Sequence, residues 1–180
     1  TGVQTCALPI LNQKNEKKLQ FVFFNDGNNL PDQKKLIGST GGIYYSGPTT
    51  SDSIRKLMAK VTNAGSGGDI PENNMEALIK GTKQSTPFTD LIMVVDNDSP
   101  VKDIELLKNF HYPVHIILCG ASHGTINLDY LLIAWKTKGT IHTIEEDITR
   151  ISKMMEGEEI VINGYTYIIN GGKFIIKDVL

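Results

Sequence analysis

The sequence has little of what would point to a membrane or a nucleic acid as its partner. It contains no apolar run long enough to cross a bilayer. Its 18 lysines and arginines nearly balance 20 aspartates and glutamates, for a net charge of −2. Without a basic stripe, nucleic acid or an anionic membrane surface is a poor candidate partner. Cysteine is also scarce, at two residues, which is too few to define a compartment.

The first ten residues, Thr1 to Ile10, match the in-frame translation of a common sequencing-library adapter. We therefore set this segment aside when predicting the fold, as for an expression scar. No initiator methionine is present, so we expect native sequence to lie upstream, and the localisation stays undetermined. The residues that remain, about 170, are enough for one domain.

Strand and helix patterns alternate along residues 11–150. Leu91–Val95 is apolar throughout, as is typical of parallel strands covered on both faces, and Val114–Cys119 is predicted as a further buried strand. Helices are predicted from Ser51 or Asp52 up to Gly65, from Pro71, and again from Ser99-Pro100. This alternation predicts an α/β domain with a mainly parallel sheet.

The pattern changes near residue 158. Apolar residues then alternate with polar ones on both sides of Asn163-Gly164, a strong signal for a two-residue hairpin turn. Residues 151–180 are therefore predicted to hold the end of a helix and a small antiparallel β meander. The predicted organisation is 1–10 adapter-like, 11–150 α/β domain and 151–180 appendage.

Polar residues follow several of the predicted strands, where open α/β sheets hold their ligands. Asp96 ends one apolar strand, and Asp69 follows a glycine hinge at the start of a helix. Two carboxylates at such an edge predict a site for a hard cation, so these two are the candidate metal ligands. Other polar or glycine residues nearby form the predicted ligand-binding rim: Asn25, Asp26, Gly68, Asp98, Ser122 and His123.

Each rim residue also has an ordinary structural interpretation. Asn25-Asp26-Gly27 is typical turn chemistry, Asp98 is a possible helix cap, and His123 fits a solvated loop. His115 lies inside a strand and is better explained as a satisfied core residue. The histidines show no spacing typical of a zinc site.

The order of these elements resembles a von Willebrand factor A-type (vWA) domain over about residues 11–150. Four features carry the resemblance: Phe21–Asp26 as its second strand, Gly42–Tyr45 as its third, the loop Gly67-Gly68-Asp69-Ile70-Pro71-Glu72, and Val94-Val95-Asp96 as its fourth strand with a terminal acid. The resemblance implies a three-layer, Rossmann-like fold and a metal-ion-dependent adhesion site. It also implies a binding module rather than an enzyme.

The sequence departs from the family pattern in three ways. Asp69 stands where a threonine is usual, in a Gly-Gly-Asp-x-Pro-Glu variant similar to one found among bacterial members. Asn97 replaces a common glycine. The first, central strand and its Asp-x-Ser-x-Ser turn are missing, so the strands at Phe21 and Leu91 should each have an unpaired edge.

These departures bear on the cofactor that the resemblance implies. We expect Mg²⁺ or Mn²⁺ in the intact protein, but weak or no binding by this chain, because two carboxylates leave most of the coordination shell to water. A protein partner would supply an acidic residue to the metal. No nucleic acid is expected as a partner.

Two other functions stay open. Asp96-x-Asp98 after an apolar strand is similar to the motif of haloacid-dehalogenase-like, Mg²⁺-dependent phosphohydrolases. Asp96 would then be the nucleophile and Asp98 the acid/base, although Pro100 stands where that family has threonine or valine. The third option is a structural domain that makes its contacts through the meander.

Overall fold

A computed structural model describes residues 19–65, 70–121 and 124–179. Within these residues the chain forms two compact units. The amino-terminal unit contains residues 19–88 and 99–110, and the carboxyl-terminal unit contains residues 89–98 and 111–179. Each unit is described by itself.

The amino-terminal unit places two helices against a two-stranded antiparallel sheet. Its strands are β1 (Val22–Phe24) and β2 (Ile43–Tyr45), and its helices are α1 (Ser51–Ala64) and α2 (Asn74–Gln84). Two 3-10 turns, Asp32–Lys34 and Ile104–Asn109, complete the unit.

Helix α2 comes very close to strand β1. A Cβ atom at Gly81 would lie 2.7 Å from the Cγ2 atom of Val22, which is shorter than side chains tolerate. Glycine at this helical position is therefore required by packing, despite its low helix propensity.

The helix starts in this unit differ from the predicted ones. The cap of α1 is Thr50, one residue before the predicted Ser51, and its hydroxyl accepts a hydrogen bond from the Ser53 N–H. Helix α2 begins at Asn74 rather than at Pro71. The Glu72 backbone instead pairs with a second segment, donating to the Pro100 carbonyl and accepting from the Lys102 N–H.

The same pairing explains a second difference. The segment after Ser99-Pro100, predicted as a helix, forms a parallel β-bridge between Val101 and Glu72. A turn at Lys102 and Asp103 follows, and then only a 3-10 turn from Ile104. Local sequence signals indicated a helix start here, but hydrogen bonds to residue 72 take up the backbone groups that a helix would need.

The carboxyl-terminal unit contains a four-stranded mixed sheet. Its strands are β3 (Ile92–Asp96), β4 (His115–Cys119), β5 (Thr140–His142) and β6 (Asp147–Ile148), in that order across the sheet. The first three run parallel and β6 is antiparallel to β5. The prediction of an α/β chain with a mainly parallel sheet is confirmed.

One face of this sheet forms the core of the unit. Met93, Val95, Ile116, Leu118 and Ile141 are buried on it, and helix α3 (Leu128–Thr137) contacts β4 and β5. The opposite face alternates with the buried one, as strand geometry requires, and its residues are at least partly exposed.

The predicted meander is confirmed as a separate three-stranded antiparallel sheet. Its strands are β7 (Glu159–Ile162), β8 (Tyr165–Asn170) and β9 (Lys173–Val179). The meander packs on helix α3, where the Trp135 and Phe174 rings meet edge to face at 5.9 Å. The helix predicted just before it is only a 3-10 turn, Arg150–Lys153.

Two strands have one unpaired edge among the described residues. Strand β1 pairs only with β2, and β3 pairs only with β4. Within the described part of the chain, no helix is both long and apolar enough to span a membrane.

The meander also fixes the loop that follows β4. The Tyr167 hydroxyl accepts a hydrogen bond of 2.7 Å from the Ile126 N–H, and both residues are buried. The Asn163 side-chain amide donates to the Ala121 and Gly124 carbonyls, at 3.0 and 3.2 Å. The meander is therefore part of the support for a strand-end loop.

Tyr167→Phe tests this support. Removal of the hydroxyl leaves the buried Ile126 N–H without its acceptor, so we expect a loss of about 1–3 kcal/mol in the free energy of unfolding. Urea unfolding at neutral pH measures this loss. Tyr165→Phe, on the same strand but partly exposed, should change stability by less than about 0.5 kcal/mol, and equal losses in both variants would contradict the prediction.

Candidate functional site

The end of strand β3 presents the Asp96 carboxylate at the carboxyl edge of the parallel sheet. Asp96 lies opposite Cys119, the last residue of β4, and is partly exposed. One carboxylate oxygen, Oδ1, accepts a 3.0 Å hydrogen bond from the Asp98 N–H. Among the described residues, Asp96 makes no salt bridge, which leaves its second oxygen available to a ligand.

Gly120 keeps the space beside this carboxylate open. It follows β4 with a φ of +76°, a conformation that favours glycine. A Cβ atom there would lie 3.3 Å from Asp96 Oδ1. A side chain at position 120 would therefore both strain the backbone and crowd the carboxylate.

Asn97 connects the strand end to the start of helix α3. Its amide donates to the Thr125 carbonyl at 2.8 Å, and its Oδ1 accepts from the Asn127 N–H at 2.9 Å. Asn127 in turn caps the helix by accepting from the Asp129 N–H. No structural role was predicted for Asn97.

Asp98 lies just beyond this edge with an exposed side chain. Its backbone N–H closes the short turn onto Asp96. Because Asp98 is exposed, its place in the predicted ligand-binding rim stays a prediction.

In the amino-terminal unit, Asn25 is a buried side chain that closes loops. Its amide donates to the Gly65 carbonyl at 2.8 Å and the Val61 carbonyl at 3.3 Å, and its Oδ1 accepts from the Asn28 N–H. Gly42 packs so closely that a Cβ there would lie 2.2 Å from Asn25 Oδ1. These contacts stabilise the turn after β1.

Asp26 is fully buried and paired with two lysines. Its Oδ2 atom lies 2.9 Å from Lys35 Nζ and 2.6 Å from Lys102 Nζ. The Lys35 side chain is 1% exposed and that of Lys102 is 16% exposed. Two ammonium groups on one oxygen give Asp26 an ion-pairing role that the sequence did not predict; its role in a ligand rim stays a prediction.

The start of helix α2 is a second buried acidic region of this unit. Both carboxylate oxygens of Asp103 accept hydrogen bonds, at 3.0 Å from the Met75 N–H and 2.6 Å from the Glu76 N–H. They satisfy donors that a helix start leaves unpaired. Burial raises the pKa of Asp103, although these N–H groups act in the opposite direction.

Glu76, on the same helix, shows the opposite shift. Burial by itself raises its pKa, but the Lys80 ammonium and the backbone N–H groups of Thr40 and Gly41 outweigh burial, and the pKa is lowered. Its carboxylate accepts from the Thr40 N–H at 2.8 Å and pairs with Lys80 one helical turn away. Glu76 therefore stays ionised and ties the segment before β2 to helix α2.

Four predicted site residues lie outside the described residues. They are Gly68 and Asp69 of the glycine loop, and Ser122 and His123 of the loop after β4. Within the described part of the chain, no group of three or more His, Cys, Asp or Glu side chains is arranged to hold a metal ion. The predicted pair of Asp69 and Asp96 therefore stays a prediction.

Comparison with known proteins gives no family assignment. No protein-family model, no curated protein and no solved structure matches the chain. The function of the chain is therefore inferred from the geometry within each unit and from the sequence motifs.

Proposed function

We propose that this chain is part of a vWA-type binding module, in which Asp96 is a ligand of a divalent cation. The single observation that supports the proposal most is the Asp96 carboxylate, unpaired by any described cation at the carboxyl edge of a parallel sheet. Ligands of open α/β sheets bind at this edge, and hard cations such as Mg²⁺ and Mn²⁺ select carboxylate oxygens.

The strand arrangement gives the proposal further support. The vWA resemblance implies a third strand at the edge beside the second, a missing central strand and a mainly parallel sheet. Strands β1 and β2 are antiparallel, strands β3 to β5 are parallel, and β1 and β3 each have an unpaired edge among the described residues. This arrangement is compatible with a three-layer vWA fold without its first strand.

The contacts of each residue decide how it would fit a cation. Asp96 can serve as a ligand, since no salt bridge among the described residues involves its carboxylate and its Oδ1 atom accepts a hydrogen bond from the Asp98 N–H. Asp26 Oδ2 cannot, because two lysines already neutralise it. Asp69 remains the second proposed ligand, and Asp98 remains in the proposed rim.

Binding of a partner would then depend on coordination positions of the cation that this chain does not fill. A cation held by two carboxylates keeps several water ligands, and an acidic side chain of a protein partner would replace one of them. The proposed activity is therefore metal-dependent protein–protein or adhesive binding. This chain by itself should hold the cation weakly.

Titration with Mn²⁺ tests the role of Asp96 in the full chain. We expect paramagnetic broadening in amide NMR spectra to begin at residues 96–98 and at Gly120, with a dissociation constant on the order of millimolar. Asp96→Asn should remove this local broadening, because an amide is a weaker ligand than a carboxylate. Asp69→Asn should weaken it as well.

The control is Glu145→Gln, which removes an exposed carboxylate of the same unit and should leave the broadening unchanged. Broadening that is spread evenly over acidic surface residues would contradict a role for Asp96. Tight Mg²⁺ binding at micromolar concentration would contradict the weak binding expected of this chain.

A further inference from the structure

A second polar cluster lies on the more exposed face of the four-stranded sheet and includes the first residues of three of its strands. It consists of Thr140 and His142 on β5, His115 on β4 and Asp147 on β6. Strand register brings them together, since Thr140 lies opposite His115 and His142 lies opposite Asp147. None of these residues was predicted from the sequence to belong to a metal or ligand-binding site.

The hydrogen bonds of the cluster form a continuous chain. The Thr140 hydroxyl lies 2.7 Å from His142 Nε2, and His142 Nδ1 lies 2.6 Å from a carboxylate oxygen of Asp147. A second imidazole reaches the same hydroxyl, with His115 Nδ1 at 2.8 Å. The order hydroxyl, imidazole and carboxylate is that of an activated nucleophile, its base and the group that orients the base.

The donors and acceptors of the cluster determine where each proton of these hydrogen bonds lies. An ionised carboxylate only accepts, so His142 Nδ1 carries a hydrogen and donates to Asp147. Nε2 of the neutral ring must then accept, which directs the Thr140 hydroxyl hydrogen to it. Because that hydrogen is the only one on the hydroxyl, Thr140 Oγ1 accepts from His115 Nδ1–H. This arrangement directs the Thr140 proton toward the nitrogen that would remove it.

A shallow cavity of about 510 Å³ opens at the cluster. His115 and His142 line it, together with Asp90, Ile92 and Ile117. Ile92 is 57% exposed, so the cavity is accessible from solvent. Its volume suits a small organic ligand.

We propose that Thr140, His142 and Asp147 form a nucleophilic site that hydrolyses small, uncharged carboxylic esters with a short apolar acyl group. Apolar walls favour such an acyl group, and Asp90 disfavours an anionic substrate. This proposal does not depend on the cation site proposed above. It would give the protein a separate acyl-transfer activity.

The reaction balances with water as the only co-reactant. Thr140 Oγ1 bonds to the acyl carbon while its proton moves to His142 Nε2, and the carbonyl electron pair moves onto the carbonyl oxygen. Collapse of this intermediate breaks the ester bond, and the leaving oxygen takes the proton from His142. Water then attacks the acyl carbon while His142 Nε2 takes a proton from it. The bond between the acyl carbon and Thr140 Oγ1 breaks, Oγ1 takes that proton from His142, and the carboxylic acid is released.

The other two residues would have different roles. His115 Nδ1–H lies within hydrogen-bond distance of Thr140 Oγ1, so it would be near the oxyanion, which forms two bonds away from Oγ1 across the acyl carbon. Asp147 is a positioning residue, because it orients the His142 ring without touching the substrate.

The test uses the full chain and p-nitrophenyl acetate. We expect an initial burst of p-nitrophenol of about one equivalent per chain. Peptide mapping after an acid quench should find the acetyl group on Thr140. Thr140→Val, which keeps the shape of the side chain, should remove both the burst and the label, and Thr140→Ser should keep them.

Variants of the other residues separate catalysis from folding. His142→Gln should lower the acetylation rate by about 100-fold. Asp147→Asn should lower the rate without changing the half-saturating ester concentration. His111→Gln, at an exposed histidine of the same unit, should have no effect. Acetyl groups found only on lysines, or wild-type rates in Thr140→Val, would overturn the proposal.

Discussion

Asp26→Asn should lower the free energy of unfolding by about 3–5 kcal/mol. The substitution keeps the shape of the side chain, and asparagine tolerates the positive φ of 48° at this position. It removes the charge that neutralises Lys35, whose side chain is 1% exposed, and Lys102. Lys35 Nζ keeps the carboxylate of Asp32 at 3.1 Å, but that carboxylate is largely exposed and compensates a buried ammonium less well than the buried charge of Asp26 does. The amide oxygen of asparagine offsets the lost charge only in part.

Urea unfolding of the wild type and variant measures this loss. Asp32→Asn is the matched control, since Asp32 also contacts Lys35 but its side chain is 59% exposed. Its loss should be below about 1 kcal/mol.

A double variant tests the cause of the loss. If the buried charge of Lys35 is responsible for the loss, Asp26→Asn combined with Lys35→Met should recover part of the lost stability. Methionine is apolar and similar in length to lysine. Lys102, with a side chain 16% exposed, is better able to reach solvent. Equal losses for Asp26→Asn and Asp32→Asn would contradict the prediction.

Gly139→Ala should destabilise the carboxyl-terminal unit by about 3 kcal/mol or more. Gly139 connects helix α3 to strand β5, and its N–H donates to the Ala134 carbonyl at 2.8 Å. A Cβ atom at this position would lie 1.8 Å from the Val114 carbonyl oxygen. Relief of this clash requires a backbone shift beside a fully buried residue, which close-packed interiors resist.

Thermal unfolding followed by circular dichroism measures the effect. Gly164→Ala is the control, because nothing lies within 4 Å of a Cβ there, while its φ of +81° makes any side chain strained. We expect a loss of about 1 kcal/mol in the control. A loss at Gly139 no larger than at Gly164 would show that the chain shifts to accommodate the methyl group.

Regular elements with a clear hydrophobic period were predictable from the sequence. The apolar runs became strands β3 and β4, and Asn163-Gly164 closes the hairpin between β7 and β8 as predicted. These signals are local, since an apolar run or an alternating pattern is expressed within one strand. Helix starts were less reliable because partners distant in sequence, such as Glu72 and Pro100, took the backbone hydrogen bonds.

The candidate sites were predictable only where a residue type and a strand end coincide. The position of Asp96 at the end of a strand was predicted in this way, and its role as a metal ligand stays a prediction. The ion pairs of Asp26 could not be found, because Lys102 lies 76 positions away. The Thr140–His142–Asp147 chain was missed because its members are ordinary strand residues, and His115 joins them only through the register of β4 with β5.

The sequence by itself determined the α/β class, the parallel run of strands, the terminal meander and the acid at the end of β3, because each follows from residues close together in the chain. Only the tertiary structure decided which lysines neutralise Asp26, which glycine has no room for a methyl group, and which hydroxyl lies beside which imidazole. Such contacts join residues whose separation along the chain is unrelated to their distance in space. Packing and strand register bring them together, and neither is encoded in a local pattern.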